Sequence, residues 1–158
     1  MKVEESIQQW MINQKKTLAL AESVTGGQVA ARLTKVPGAS HYFLGSLVVY
    51  SNGLKEKLLH VSEKTIKQAG TVGAEAVKEM AEQLIRVTGA DFGIAISGIA
   101  GPTGGTAQKP IGTIWAALIE KGQVPHVWNF HLSGSREKII LDATEHVLVA
   151  LYSHLSRY

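Results

Sequence analysis

Residues 42–50, YFLGSLVVY, place aromatic and β-branched side chains on both alternations of a strand period, the pattern of a strand covered on both faces. Such a strand needs helices on either side, which restricts the chain to layered α/β architectures. A second run of this kind, FGIAI at residues 92–96, is preceded by the clearest helical pattern in the sequence. There Val77, Met80, Ala81, Leu84 and Ile85 recur at three- and four-residue spacing over 74–88, and Gly89 follows as the C-terminal cap.

The other segments fit the same plan. Val3, Ile7, Trp10 and Met11 predict an amphipathic helix over 3–15. The short apolar run 17–21 predicts a strand, and Val29, Ala30 and Leu33 a helix that ends at Pro37-Gly38. Asn52-Gly53 breaks the 42–50 strand, a short helix carries Leu54, Leu58 and Leu59, and Ser62 opens another that stops at Gly70. Residues 111–120 and 124–132 read as a hairpin joined through Lys-Gly-Gln, and Ser133 or Ser135 caps a last helix running through Leu155. The expected fold is a three-layer α/β/α sandwich with a mixed, mostly parallel sheet, one domain over residues 1–158.

Composition removes several function classes. With 45% hydrophobic and 18% charged residues the chain is too apolar for disorder, and without cysteine it has neither a thiol nucleophile nor a thiolate metal site. No stretch approaches the ~18 apolar residues of a membrane span, so the expectation is a cytoplasmic protein with no membrane partner. The net charge of +3, spread along the chain, suits an anionic metabolite as well as a phosphate backbone, and no nucleic-acid partner is expected.

Chemistry is concentrated at three glycine-flanked junctions. The segment AESVTGG at 21–27 puts Ser23 between the carboxyl end of a strand and the start of a helix, where ligands of open α/β sheets collect. Thr25, Gly26, Gly27 and the amides of the first helical turn are candidates to hold an oxyanion or substrate. A simple helix cap by Ser23 or Thr25 is the plainer alternative. A serine nucleophile needs a base, and none of the six histidines has suitable spacing for a catalytic or metal-binding group. Lysine remains: Tyr50 and Lys55 leave the end of the 42–50 strand together and reach Ser23 if the two strands are parallel neighbours. The loop SGIAGPTGG at 97–105 offers Gly98, Ile99, Ala100 and Gly101 as an anion cradle, to which Arg136 adds a guanidinium. No metal or other cofactor is called for.

Five ordered motifs, AESVTGG at 21–27, VYSNGLK at 49–55, ISGIAGP at 96–102, KPIGTIW at 109–115 and SGSR at 133–136, resemble the C-terminal domain of the competence-damage protein CinA. This family includes the stand-alone nicotinamide-nucleotide amidohydrolase. The resemblance covers nearly the whole chain, with Val24 where cysteine is frequent and Gly73 where a helix-opening serine is usual. It implies hydrolysis of nicotinamide mononucleotide (NMN) to nicotinic acid mononucleotide and ammonia, without a cofactor, in pyridine-nucleotide recycling, by a homodimer. Ser23, Tyr50 and Lys55 align with its catalytic residues, and Gly98 to Gly101 and Arg136 with its binding residues. A non-catalytic nucleotide-binding or interaction module is the alternative reading.

Overall fold

The computed structural model describes residues 1–158. Its elements in chain order are α1 (Val3–Asn13), β1 (Leu18–Glu22), α2 (Gln28–Thr34), a 3-10 turn (Ala39–His41), β2 (Phe43–Val48), α3 (Asn52–Leu59), α4 (Glu63–Gln68) and α5 (Ala74–Thr88). β3 (Phe92–Gly98), β4 (Thr113–Glu120), β5 (His126–His131) and α6 (Arg136–Leu155) complete the chain. The sheet order is β2-β1-β3-β4-β5. β1 pairs in parallel with both β2 and β3, and β4 pairs antiparallel with β3 and β5, so all strands except β4 point the same way. This is the expected mixed sheet with helices on both faces.

The period-two alternation of β1 explains the two cores. Leu18 and Leu20 enter the larger one, beneath α1, α2 and α6, where Ile139, Ala143, Val147 and Leu151 form the buried stripe of α6. Ala19 and Ala21 face the other side with Val77, Met80, Ala81 and Leu84 of α5. Small residues there let α5 lie close to the sheet. At Gly93 even a Cβ would come within 3.1 Å of Ile85 and 3.2 Å of Leu84.

Two local expectations change. Residues 42–50 do not form a strand covered on both faces: β2 is an edge, with Leu44 52% and Val48 42% exposed. A register shift opposite Leu18/Ala19, at Gly45 with φ +147°, turns part of its apolar alternation outward. Asn52-Gly53 is not a break but the first turn of α3, capped by the Ser51 hydroxyl, which accepts from the Leu54 amide. The face α3 buries carries Lys55 and Leu59, while Leu54 and Leu58 stay exposed. Of the two candidate caps for α6, Ser135 takes the role and accepts from the Lys138 amide.

Candidate active site

The carboxyl ends of β1, β2 and β3 lie side by side, and the loops that leave them diverge over a cleft of about 260 Å³. β1 supplies Ser23. The chain leaving β2 supplies Tyr50 and, from the first turn of α3, Lys55, while β3 and its loop supply Ser97, Gly98, Ile99 and Ala100. Arg136 closes the far end from the start of α6. This is the crevice at which the strand order of the sheet reverses, with β1 the middle one of the three adjacent parallel strands.

Ser23 Oγ and Lys55 Nζ are 3.1 Å apart, and both residues are buried, at 7% and 2% exposure. The lysine amine also donates to the Tyr50 carbonyl, again at 3.1 Å. No carboxylate is paired with it. Burial therefore holds Lys55 below the usual lysine range. Its position in the first turn of α3 acts in the same direction, since the positive end of the helix dipole opposes a cation. A hydroxyl beside an amine that loses its proton readily is the arrangement a serine nucleophile with a lysine base requires. None of the six histidines lines this cleft.

Tyr50 is placed differently from the expectation of a hydroxyl beside Ser23. Its side chain is 58% exposed, and its hydroxyl accepts from Arg136 Nη2 at 2.9 Å. The contribution of Tyr50 to the Ser23–Lys55 pair is its backbone carbonyl. Arg136 Nη1 donates to the Gly101 carbonyl at 2.9 Å, so one guanidinium bridges the β2–α3 and β3–β4 loops. Both of its partners are neutral, and its positive charge faces the cleft uncompensated.

In the β3–β4 loop, the Ile99 amide and carbonyl are tied to Thr113 and Gly112 at the start of β4, whereas the Ala100 and Gly101 amides donate to no protein acceptor. Of these two free amides only that of Ala100 belongs to a residue lining the cleft; Gly101 is buried behind it. Gly98 has a packing role instead. A Cβ there would lie 2.5 Å from Ile114 Cδ1 and 2.8 Å from the Thr113 carbonyl oxygen. Gly98→Ala is expected to cost about 1–3 kcal/mol, a loss measurable by urea denaturation; unchanged stability would show that β3 and β4 can separate freely.

Thr25, Gly26 and Gly27 do not line the cleft. The Thr25 hydroxyl donates to Glu22 at 2.7 Å, the Gly26 amide donates to the Ser23 carbonyl, and Gly27 caps α2 with φ +101°. Nor are the first-turn amides of α2 available, because those of Val29 and Ala30 donate to the Glu22 carboxylate. The amides left unpaired beside the nucleophile are those of Val24 and Thr25.

Sequence reasoning missed several of the wall residues. Asn52 stands one turn before Lys55, and Thr71 and Val72 form another side of the wall. Ser97 Oγ holds that side by donating to the Thr71 carbonyl at 2.5 Å. Asn52 and Ser97 lie within motifs already noted, but nothing local marks Thr71. A larger apolar groove of about 390 Å³, lined by His126, Trp128, Phe130 and His146 between β5 and α6, is reached by none of the motifs.

Comparison with known proteins covers the whole chain. The family model described as the CinA C-terminal domain matches residues 1–155. A CinA-like protein of Thermotoga maritima is 46% identical over 138 residues, 87% of this chain and 33% of the relative. One of Thermotoga neapolitana is 44% identical over 154 residues, 98% of this chain and 37% of the relative. The chain thus spans about a third of the length of these curated relatives. Among solved structures, the competence damage-inducible protein A of Klebsiella pneumoniae superposes with a TM-score of 0.94 at 30% identity, covering 99% of this chain and 96% of that one. The competence/damage inducible protein of Agrobacterium tumefaciens gives 0.88 at 29% identity, covering 98% and 95%.

Proposed function

This chain belongs to the CinA C-terminal domain family, and from that premise we propose that it is an amidohydrolase that converts nicotinamide mononucleotide to nicotinic acid mononucleotide and ammonia. The observation that carries the reading is the 3.1 Å contact between the buried Ser23 hydroxyl and the buried, carboxylate-free amine of Lys55. The neutral amine accepts the hydroxyl proton as Ser23 Oγ attacks the carboxamide carbon, and the unpaired amide of Val24, at the cleft wall, receives the developing oxyanion. The protonated amine then returns its proton to the departing nitrogen, so that ammonia leaves and an acyl ester remains on Ser23. Water, deprotonated by the same amine, attacks the ester and releases the carboxylate with Ser23 restored.

The substrate's phosphate is assigned to Arg136 and the unpaired Ala100 amide, both at the cleft. The alternative anchor, the N-terminus of α2, is already occupied by Glu22. The test is ammonia release from NMN with formation of nicotinic acid mononucleotide; tight binding with no turnover would instead favour a nucleotide-sensing module. Arg136→Ala should raise KM for NMN roughly ten- to hundredfold, the loss of one charge-assisted contact. The ratio of NMN to nicotinamide riboside turnover measures it, and an unchanged ratio would remove Arg136 from the phosphate site.

A further inference from the structure

Glu22, the residue before the nucleophile, is fully buried. Its carboxylate accepts four hydrogen bonds from three elements. Oε1 takes the Thr25 hydroxyl at 2.7 Å and the Val29 amide at 2.9 Å; Oε2 takes the Ala30 amide at 3.2 Å and the Ser46 hydroxyl of β2 at 2.7 Å. Every donor is neutral, and no cation pairs with it.

Capping α2 alone would not call for this arrangement. A serine or aspartate at the start of the helix does that at the surface, whereas a carboxylate taken wholly out of water carries a desolvation penalty that its hydrogen bonds must offset. The Glu22 backbone shows what else is held. Its carbonyl accepts from the Val49 amide at 2.9 Å, and the next amide, that of Ser23, donates to the Ile96 carbonyl at 3.0 Å. The Glu22–Ser23 peptide is therefore gripped between the ends of β2 and β3. The residue after Val49 is Tyr50, whose carbonyl holds the Lys55 amine. Glu22 thus joins the strand end that carries the nucleophile to the strand end that carries the base's anchor.

We propose that Glu22 is a positioning residue that sets the separation of Ser23 and Lys55, acting through β2 and the turn into α2. This rests on the reading of Ser23 and Lys55 as nucleophile and base. In Glu22→Gln the side chain keeps its size, but its amide group meets a donor it cannot accept from, and the grip on Ser46 and Ala30 loosens. A displacement near 1 Å at a reacting pair costs roughly a hundredfold in rate. The variant should lose about ten- to hundredfold in kcat for NMN while KM stays within about threefold. Ser46→Ala, which removes only the β2 donor, should show a smaller loss of the same kind.

A readout independent of the substrate separates this proposal from the amidase assignment. The rate of Ser23 labelling by a fluorophosphonate should fall in parallel with kcat in both variants. If the wild type labels at Ser23 but does not hydrolyse NMN, the substrate assignment fails while the labelling rates still test the positioning role. Wild-type labelling rates in folded Glu22→Gln overturn the proposal. If that variant does not fold, wild-type kinetics and labelling in Ser46→Ala overturn it equally.

Discussion

Lys55→Met is expected to lower kcat for amide hydrolysis by roughly 10³-fold or more and to leave the protein folded. Methionine fills nearly the same volume beside Leu59, but its thioether is far too weak a base to take the Ser23 proton. The structural basis is the 2% exposure of Lys55 and the absence of a counter-charge. The same burial predicts how stability depends on pH. The amine loses its proton more readily in the folded protein than in the unfolded chain, whose lysine has the model value of 10.5. Between the lowered folded-state pKa and 10.5 the unfolded state binds the extra proton, so wild-type stability rises with pH across that window. Below it both states are charged and the folded state carries the full penalty of a buried ammonium.

Lys55→Met has no such group, and its stability relative to wild type should decline as pH rises through that window. Urea denaturation at neutral pH and near pH 10 reads the difference. Parallel pH dependence in the two proteins would mean that Lys55 titrates as an ordinary surface lysine. In the wild type, kcat/KM should fall on the acid side as Lys55 takes up its proton, at a pH below the usual lysine range. That limb should be missing from the residual activity of the methionine variant.

Ser23→Ala should remove ammonia release, with kcat reduced roughly 10⁴-fold or more. Little else should change. The backbone around position 23 is held by the Ile96 carbonyl and by Glu22, not by the hydroxyl, and Lys55 keeps its contact with the Tyr50 carbonyl. Binding of NMN, measured by calorimetry, should stay within a few-fold of wild type, since the proposed phosphate anchor, Arg136, is untouched. An acid-quenched wild-type reaction should yield a Ser23 peptide carrying the acyl group, absent from the alanine variant. Turnover retained by Ser23→Ala would exclude the covalent route and leave Lys55 to activate water directly.

Much of this molecule is readable from local pattern. The α5 stripe and its Gly89 cap, with φ +72°, follow from three- and four-residue spacing and one glycine. The cap at Ser62 follows from residue type at a helix start, which for α6 leaves Ser133 and Ser135 both open until the structure selects Ser135. Ser23 and Lys55 could be named because each follows a strand end and glycines mark the turn or helix beside it. Where the reading of local pattern went astray, the missing information was position in the sheet. The apolar content of residues 42–50 is that of a buried strand, yet β2 lies at the edge. The leucines of α3 mark it as a helix but not which side it buries, and that side holds Lys55 and Leu59 while Leu54 and Leu58 stay exposed.

Sequence alone determined which segments become strands and helices and which junctions carry reactive groups, because periodicity, caps and turn residues act within a few positions of one another. Tertiary structure alone decided the partners. That the Tyr50 hydroxyl meets Arg136, 86 residues away in the chain, while its carbonyl holds Lys55, depends on how the loops converge over the sheet. So does the use of Glu22 to occupy the start of α2. The physical reason is that a hydrogen bond or a lowered pKa is set by atoms within a few ångströms, and folding brings those atoms together from segments whose local sequences carry no record of one another.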